Sequence, residues 1–120
     1  MHELSIAQSL LEIVRQHVPP AEWGEVRVVR LKIGALAGVV PDSLEFSFTA
    51  LTAGTPLSGA RLDILHVPFV MRCRACSATS SEQLGIAVCP SCGSSDTETI
   101  SGTELQLTEI ELAQPAEAPS

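Results

Sequence analysis

Four cysteines in two Cys-x-x-Cys pairs restrict this chain more than any other feature of its 120 residues. The pairs are Cys73-Arg74-Ala75-Cys76 and Cys89-Pro90-Ser91-Cys92, with twelve residues between them and no fifth cysteine. A closed tetrathiolate site uses all four and leaves no thiol over. Zn(II) has a filled d shell and no geometric preference of its own, so it accepts the tetrahedron that two such knuckles offer. The gap is a little shorter than the usual range for this pattern but ample for a hairpin between the knuckles. The spacing therefore predicts a structural zinc site.

A redox Cys-x-x-Cys is the competing reading. It normally comes singly, at the start of a helix after a strand, and two pairs each followed by small polar residues fit that poorly. Neither an apolar run of membrane-spanning length nor a basic leader with a cleavage site occurs, so the expected location is the cytoplasm. There paired cysteines are zinc ligands more often than disulfides. The net charge is −7, with only seven Lys and Arg, and they are scattered. Nucleic-acid binding rests on clustered cations, so no nucleic acid is expected as the main partner.

The 45% hydrophobic content permits a real core. With no Tyr, one Trp and three Phe, that core is mostly aliphatic. Residues 3–17 read as an amphipathic helix: Leu4, Ala7, Leu11 and Val14 recur at helical spacing, and Pro19-Pro20 stops it. Residues 25–36 read as a strand, through Val26, Val28, Val29, Leu31 and Ile33. Pro41-Asp42 looks like a helix start, with Leu44, Phe48 and Leu51 on one face. Leu44, Phe46 and Phe48 also alternate, which keeps a strand open there. Residues 60–67 and 104–112 are further strands. Ser, Thr, Gly and Cys dominate between 73 and 102, and this shift marks a zinc module lying between two strands of one sheet.

The second metal-competent feature is the N-terminus. Met1 is expected to stay on, because a side chain as large as His2 blocks its removal. The amine, the His2 amide and the His2 Nδ1 close a five-membered and a six-membered chelate ring. Three nitrogens then lie in one plane, which suits Ni(II) or Cu(II). The Glu3 amide can supply a fourth, since it is an orphan donor of the helix start. The bland alternative is an exposed terminal histidine.

Short motifs now combine. They are Met-His-Glu-Leu-Ser at 1–5, Leu-Lys-Ile-Gly at 31–34, Pro-Asp-Ser-Leu-Glu-Phe at 41–46, Gly-Ala-Arg-Leu at 59–62, the two cysteine pairs, and Gly-Thr-Glu-Leu at 102–105. In this order and spacing the chain resembles the HypA/HybF family of nickel metallochaperones of [NiFe]-hydrogenase maturation, over about residues 1–112. The resemblance implies nickel as transient cargo at His2, and structural zinc at Cys73, Cys76, Cys89 and Cys92. It also implies a HypB-type GTPase and the hydrogenase large subunit as partners. Some members carry a histidine just after each knuckle; here Ser77 and Gly93 stand there, which speaks against a zinc site switched by histidines. Asp42 sits where some members offer a further nickel ligand, but a helix N-terminal acid explains it as well. His66 lies in a strand and reads as structural.

The expected fold is α+β: a small α/β nickel-binding domain of two helices on a short sheet, with an inserted zinc-ribbon-like domain held by the four cysteines. Residues 1–68 and 101–112 would form the first, 69–100 the second, and 113–120 a disordered tail. Such a module, on two connecting strands, is also a route to a swapped homodimer. No catalytic constellation is present, so the chain is not expected to be an enzyme. Two other functions remain compatible with the cysteines: a zinc-stabilised adaptor without nickel cargo, and a zinc-ribbon module for nucleic acid.

Overall fold

The structure, a computed structural model, describes residues 2–81 and 86–113. Most of the expected tail therefore lies outside the described residues, as does Met1. Ala113 does not hang free: its amide donates to the Glu25 carbonyl at 2.6 Å. Helix α1 spans His2–His17, strand β1 Val26–Gly34, helix α2 Pro41–Thr52 and strand β2 Arg61–Val67. Strands β3 (Val70–Cys73), β4 (Thr79–Ser81), β5 (Thr97–Ser101) and β6 (Leu105–Leu112) follow.

Two three-stranded sheets result, in the orders β2-β1-β6 and β4-β3-β5. In the first, the Ala35 amide donates to Val67 O, so the C-terminal ends of β1 and β2 meet and the strands run parallel. Helix α2 makes the crossover that a parallel pair requires. At the same end the Gly34 amide donates to Glu104 O, just ahead of β6, which makes that pair antiparallel. The chain divides into two compact units, one comprising the described residues of Met1–Leu31, Val39–Ile64 and Leu107–Ser120, the other Lys32–Gly38 and Leu65–Gln106.

In the first unit α1 buries Ala7, Leu10, Leu11 and Val14, the stripe its sequence predicts. Helix α2 buries Leu44, Ser47, Phe48 and Thr52. The helical period therefore wins over the Leu44-Phe46-Phe48 alternation, and the buried Thr52 hydroxyl is satisfied by donating to Phe48 O at 2.9 Å. Central strand β1 adds Val26, Val28, Val29 and Leu31, all nearly inaccessible to solvent. Its near-continuous apolar run is what a strand covered on both faces needs. Arg30 answers three carboxylates, Asp63 (3.2 Å), Glu109 (2.9 Å) and Glu111 (2.8 Å). Past α1, Pro19 and Pro20 lead into a 3-10 turn, Pro20–Glu25, and the Trp23 indole N–H donates back to Val18 O.

In the second unit β3 is the central strand, antiparallel to both neighbours. It pairs Met71 with Ser80 and with Thr99, and a bulge opposite Val70/Met71 takes up Ile100. Among the described residues, Ile33, Phe69, Met71, Cys73 and Cys89 are this unit's buried apolar residues. So small a core leaves the fold dependent on a cross-link. Gly34 and Gly102 approach each other closely in this unit. A Cβ on Gly34 would stand 2.1 Å from the Gly102 carbonyl carbon and oxygen, and Gly102 itself has φ +118° and lies against the Phe69 backbone.

Candidate metal sites

The two knuckles are built alike. In the first, Cys73 N donates to Ala78 O and Ser77 N to Cys73 O; in the second, Cys89 N donates to Ser94 O and Gly93 N to Cys89 O. The residue after each second cysteine turns left-handed, Ser77 at φ 65° and Gly93 at φ 75°. Glycine meets that need freely, whereas serine carries a strain cost. These turns aim amides at sulfur, as with Cys76 N at 3.4 Å from Cys73 Sγ.

All four Sγ atoms lie within 4.8 Å of one another. Two approaches run between the knuckles, Cys73 to Cys92 and Cys76 to Cys89, both at 3.6 Å. A tetrahedron with Zn–S bonds of about 2.3 Å has edges of about 3.8 Å, so the four sulfurs fit the ion. A disulfide needs about 2.05 Å, and all four cysteines are free.

The electrostatics agree. The Cys92 amide, aided by that of Ser91, holds the Cys89 thiol down to about 6 against the cost of its burial. The Cys76 amide likewise lowers Cys73. Their partners move the other way. Cys92 is pushed up to about 12: its Ser94 amide bond favours the thiolate, but the Cys73 thiol, burial and the remaining thiols outweigh it. Cys76 rises too, since Cys89 and burial outweigh its bond from Ala78. Without a cation the cluster cannot hold four thiolates together, and a divalent cation removes that conflict. The site has four sulfur ligands and no open position for chemistry. The flanking Arg72 and Arg74 are engaged by Glu98 (3.5 Å) and Asp96 (3.2 Å), so neither offers a free cation to a phosphate.

At the other end of the sequence, His2 opens α1 with its side chain 56% exposed and its Nδ1 3.6 Å from Glu3 Oε2. The Glu3 side chain is only 13% exposed. Its carboxylate accepts the Val40 amide at 3.1 Å, and that bond holds its pKa below the ordinary value. Val40 is the N-cap of α2 and has no side-chain acceptor of its own, so Glu3 provides the cap from another helix. No local signal in the sequence reveals this link across 37 positions. Asp42 lies in the first turn of α2, as expected. His17 Nδ1 stands 2.9 Å from Ile13 O at the end of α1. His66 is exposed on β2 rather than built into a core.

Among the described residues no helix is long and apolar enough to cross a membrane. Comparison with known proteins gives one answer. A family profile described as "Hydrogenase/urease nickel incorporation, metallochaperone, hypA" matches residues 1–112. A hydrogenase maturation factor HypA of Geotalea uraniireducens is 45% identical over 112 residues, covering 93% of this chain and 99% of the relative. One from Roseiflexus is 41% identical, covering 92% and 91%. Among solved structures, the Ni metallochaperone HypA from Helicobacter pylori superposes with a TM-score of 0.61 at 22% identity, covering 94% of this chain and 98% of that one. A second HypA solution structure gives 0.65 at 24% identity, covering 93% and 96%. These two show the shared fold. The identity and coverage of the sequence relatives place the chain in the HypA family of nickel-incorporation metallochaperones for hydrogenase maturation, which are not enzymes.

Proposed function

We propose that this chain carries one Ni(II) at its N-terminus and delivers it to the large subunit of a [NiFe]-hydrogenase with the help of a HypB-type GTPase. The ligands in this reading are the terminal amine, the His2 amide and His2 Nδ1, with the Glu3 amide completing a plane of nitrogens. Cys73, Cys76, Cys89 and Cys92 hold Zn(II), which keeps the second module folded and takes no part in the cargo chemistry. We place that module at residues 69–100.

The observation that carries the reading is the state of His2. It is exposed in the first turn of α1, where the first amides have no intrahelical partner. A metal there breaks no helical hydrogen bond. The repulsion between a cation and the positive helix end is offset by the nearby Glu3 carboxylate. Binding is then strong enough to collect the ion and weak enough to give it up. Nickel titration of protein with a native N-terminus tests this. One added nickel per chain is expected beside one resident zinc, and His2→Ala should lose the nickel and keep the zinc. Equal nickel stoichiometry and affinity in His2→Ala would remove the site and favour an adaptor role.

A further inference from the structure

The four cysteines differ in their access to solvent. Cys76 and Cys92, the second cysteine of each knuckle, are exposed, whereas Cys73 and Cys89, the first of each, are buried. Two contacts in the cluster join unlike members. Exposed Cys92 lies 3.6 Å from buried Cys73, and exposed Cys76 lies 3.6 Å from buried Cys89. Each cysteine that a small oxidant can reach therefore touches a shielded sulfur of the other knuckle. The sequence has no fifth cysteine to compete with that partner.

We propose that the cluster is a reversible oxidation site for hydrogen peroxide, closing the disulfides Cys76–Cys89 and Cys73–Cys92 with loss of the zinc. The proposal rests on the zinc reading of the four cysteines and adds its regulation: the metal is held only while the sulfurs are reduced. The chemistry falls on sulfur, so a closed ligand set does not prevent it. The Cys76 sulfur attacks one peroxide oxygen, the O–O bond breaks, and hydroxide leaves and takes up a proton to become water. Cys76 is then a sulfenic acid. The Cys89 sulfur attacks it, the S–S bond forms as the S–O bond breaks, and a second hydroxide leaves as water. Each sulfur has given up one electron, and one peroxide has accepted both. A second peroxide reacts in the same way at Cys92, with Cys73 resolving. Zn(II) keeps its oxidation state and is released because the thiolate, not the disulfide, is the metal ligand.

Contact with the resolving sulfur also captures the sulfenic acid before further peroxide carries it to the irreversible sulfinic acid. Pairing across the knuckles is favoured over pairing within one. A bond between Cys73 and Cys76 would draw Cys73 Sγ from the Cys76 amide that donates to it at 3.4 Å, and would rework the left-handed turn at Ser77. Bonds across the cluster leave both turns in place, closed by Ser77 N to Cys73 O and Gly93 N to Cys89 O. They also tie the knuckles together as the ion did, so reduction can restore the site.

The test treats the full, zinc-loaded chain, freed of reductant, with about a tenfold excess of hydrogen peroxide. A zinc-binding dye reads released metal, and thiol titration reads the sulfurs. One zinc per chain should be released as all four thiols disappear, and a dithiol reductant with added zinc should restore both. Cleavage after Arg74 and Glu82, without reduction, separates Cys73, Cys76 and the segment that holds Cys89 and Cys92. Mass spectrometry should find the first two each bonded to the third, and fragmentation should place Cys73 on Cys92 and Cys76 on Cys89. Any other pairing overturns the proposal, as do sulfinic acids without disulfides, disulfide-linked dimers, or zinc that stays bound. A chain with no zinc to release removes the zinc reading and this inference with it. Bound zinc that resists peroxide removes only the inference.

Discussion

Replacing Gly34 by Ala should be among the most costly single-methyl additions in this protein. The new Cβ would lie 2.1 Å from the Gly102 carbonyl carbon and oxygen and 2.5 Å from Thr103 N. Ordinary contact begins near 3.4 Å, so one backbone must retreat by more than an ångström. Gly102 has nowhere to go, because its other side lies against the Phe69 backbone. Retreat also stretches the bonds Gly34 N to Glu104 O (2.8 Å) and Leu36 N to Gly102 O (2.7 Å). Overpacking of this kind costs about 1–3 kcal/mol, and each lost hydrogen bond about 1 kcal/mol. The stiffer unfolded chain returns about 0.4–1 kcal/mol. The net loss is about 3 kcal/mol, a large part of a domain's stability. With a urea dependence of about 1.5 kcal/mol per molar, the midpoint falls by about 2 M. Gly24→Ala is the matched control, since nothing lies within 4 Å of its added Cβ. Both variants are unfolded in urea with zinc bound and followed by far-UV circular dichroism. A Gly34→Ala midpoint within about 0.5 M of wild type would refute the close-approach argument, as would an equal drop in Gly24→Ala.

Two further outcomes follow from the metal site and from the helix contact. A strong chelator should unfold residues 73–95 while the helices persist, because metal binding supplies the folding free energy of a module with so few buried apolar residues. Amide exchange reads this, and unchanged protection at Cys73 and Cys89 after zinc removal would contradict it. Glu3 has a folded pKa below its ordinary value of 4.5. Its contribution to stability is therefore complete above that value and is lost as pH falls through the depressed folded pKa. The melting temperature of wild type should drop more steeply below pH 4.5 than that of Glu3→Gln. Parallel curves would mean that the Val40 bond gains nothing from the charge.

Local signals were legible wherever neighbours in sequence are also neighbours in space. The α1 stripe, the proline stop and the strand character of 26–34 all belong to this class. So do the two knuckles, whose turns are closed locally by Cys73 N to Ala78 O and Cys89 N to Ser94 O. Strands β3, β4 and β5 were hidden. Thr79–Ser81 and Thr97–Ser101 are mostly polar and carry no apolar alternation, and their pairing is imposed by β3 and the clustered sulfurs. The alternation of Leu44, Phe46 and Phe48 was a misleading hint, because it ignored that Phe46 would stay in water while the other two are buried.

Sequence alone determined the chemistry available to this chain: four thiols in two Cys-x-x-Cys pairs, a histidine at position 2, and an acidic composition poor in aromatic rings. These depend on residue type and short spacing, which folding does not alter. Tertiary structure decided what those groups meet. It set sulfurs of different knuckles 3.6 Å apart. It made the Glu3 carboxylate the cap of α2 across 37 positions. It also turned Phe46 out into solvent instead of into the core. Each of these depends on which faces of distant elements are brought together, and no local pattern encodes that.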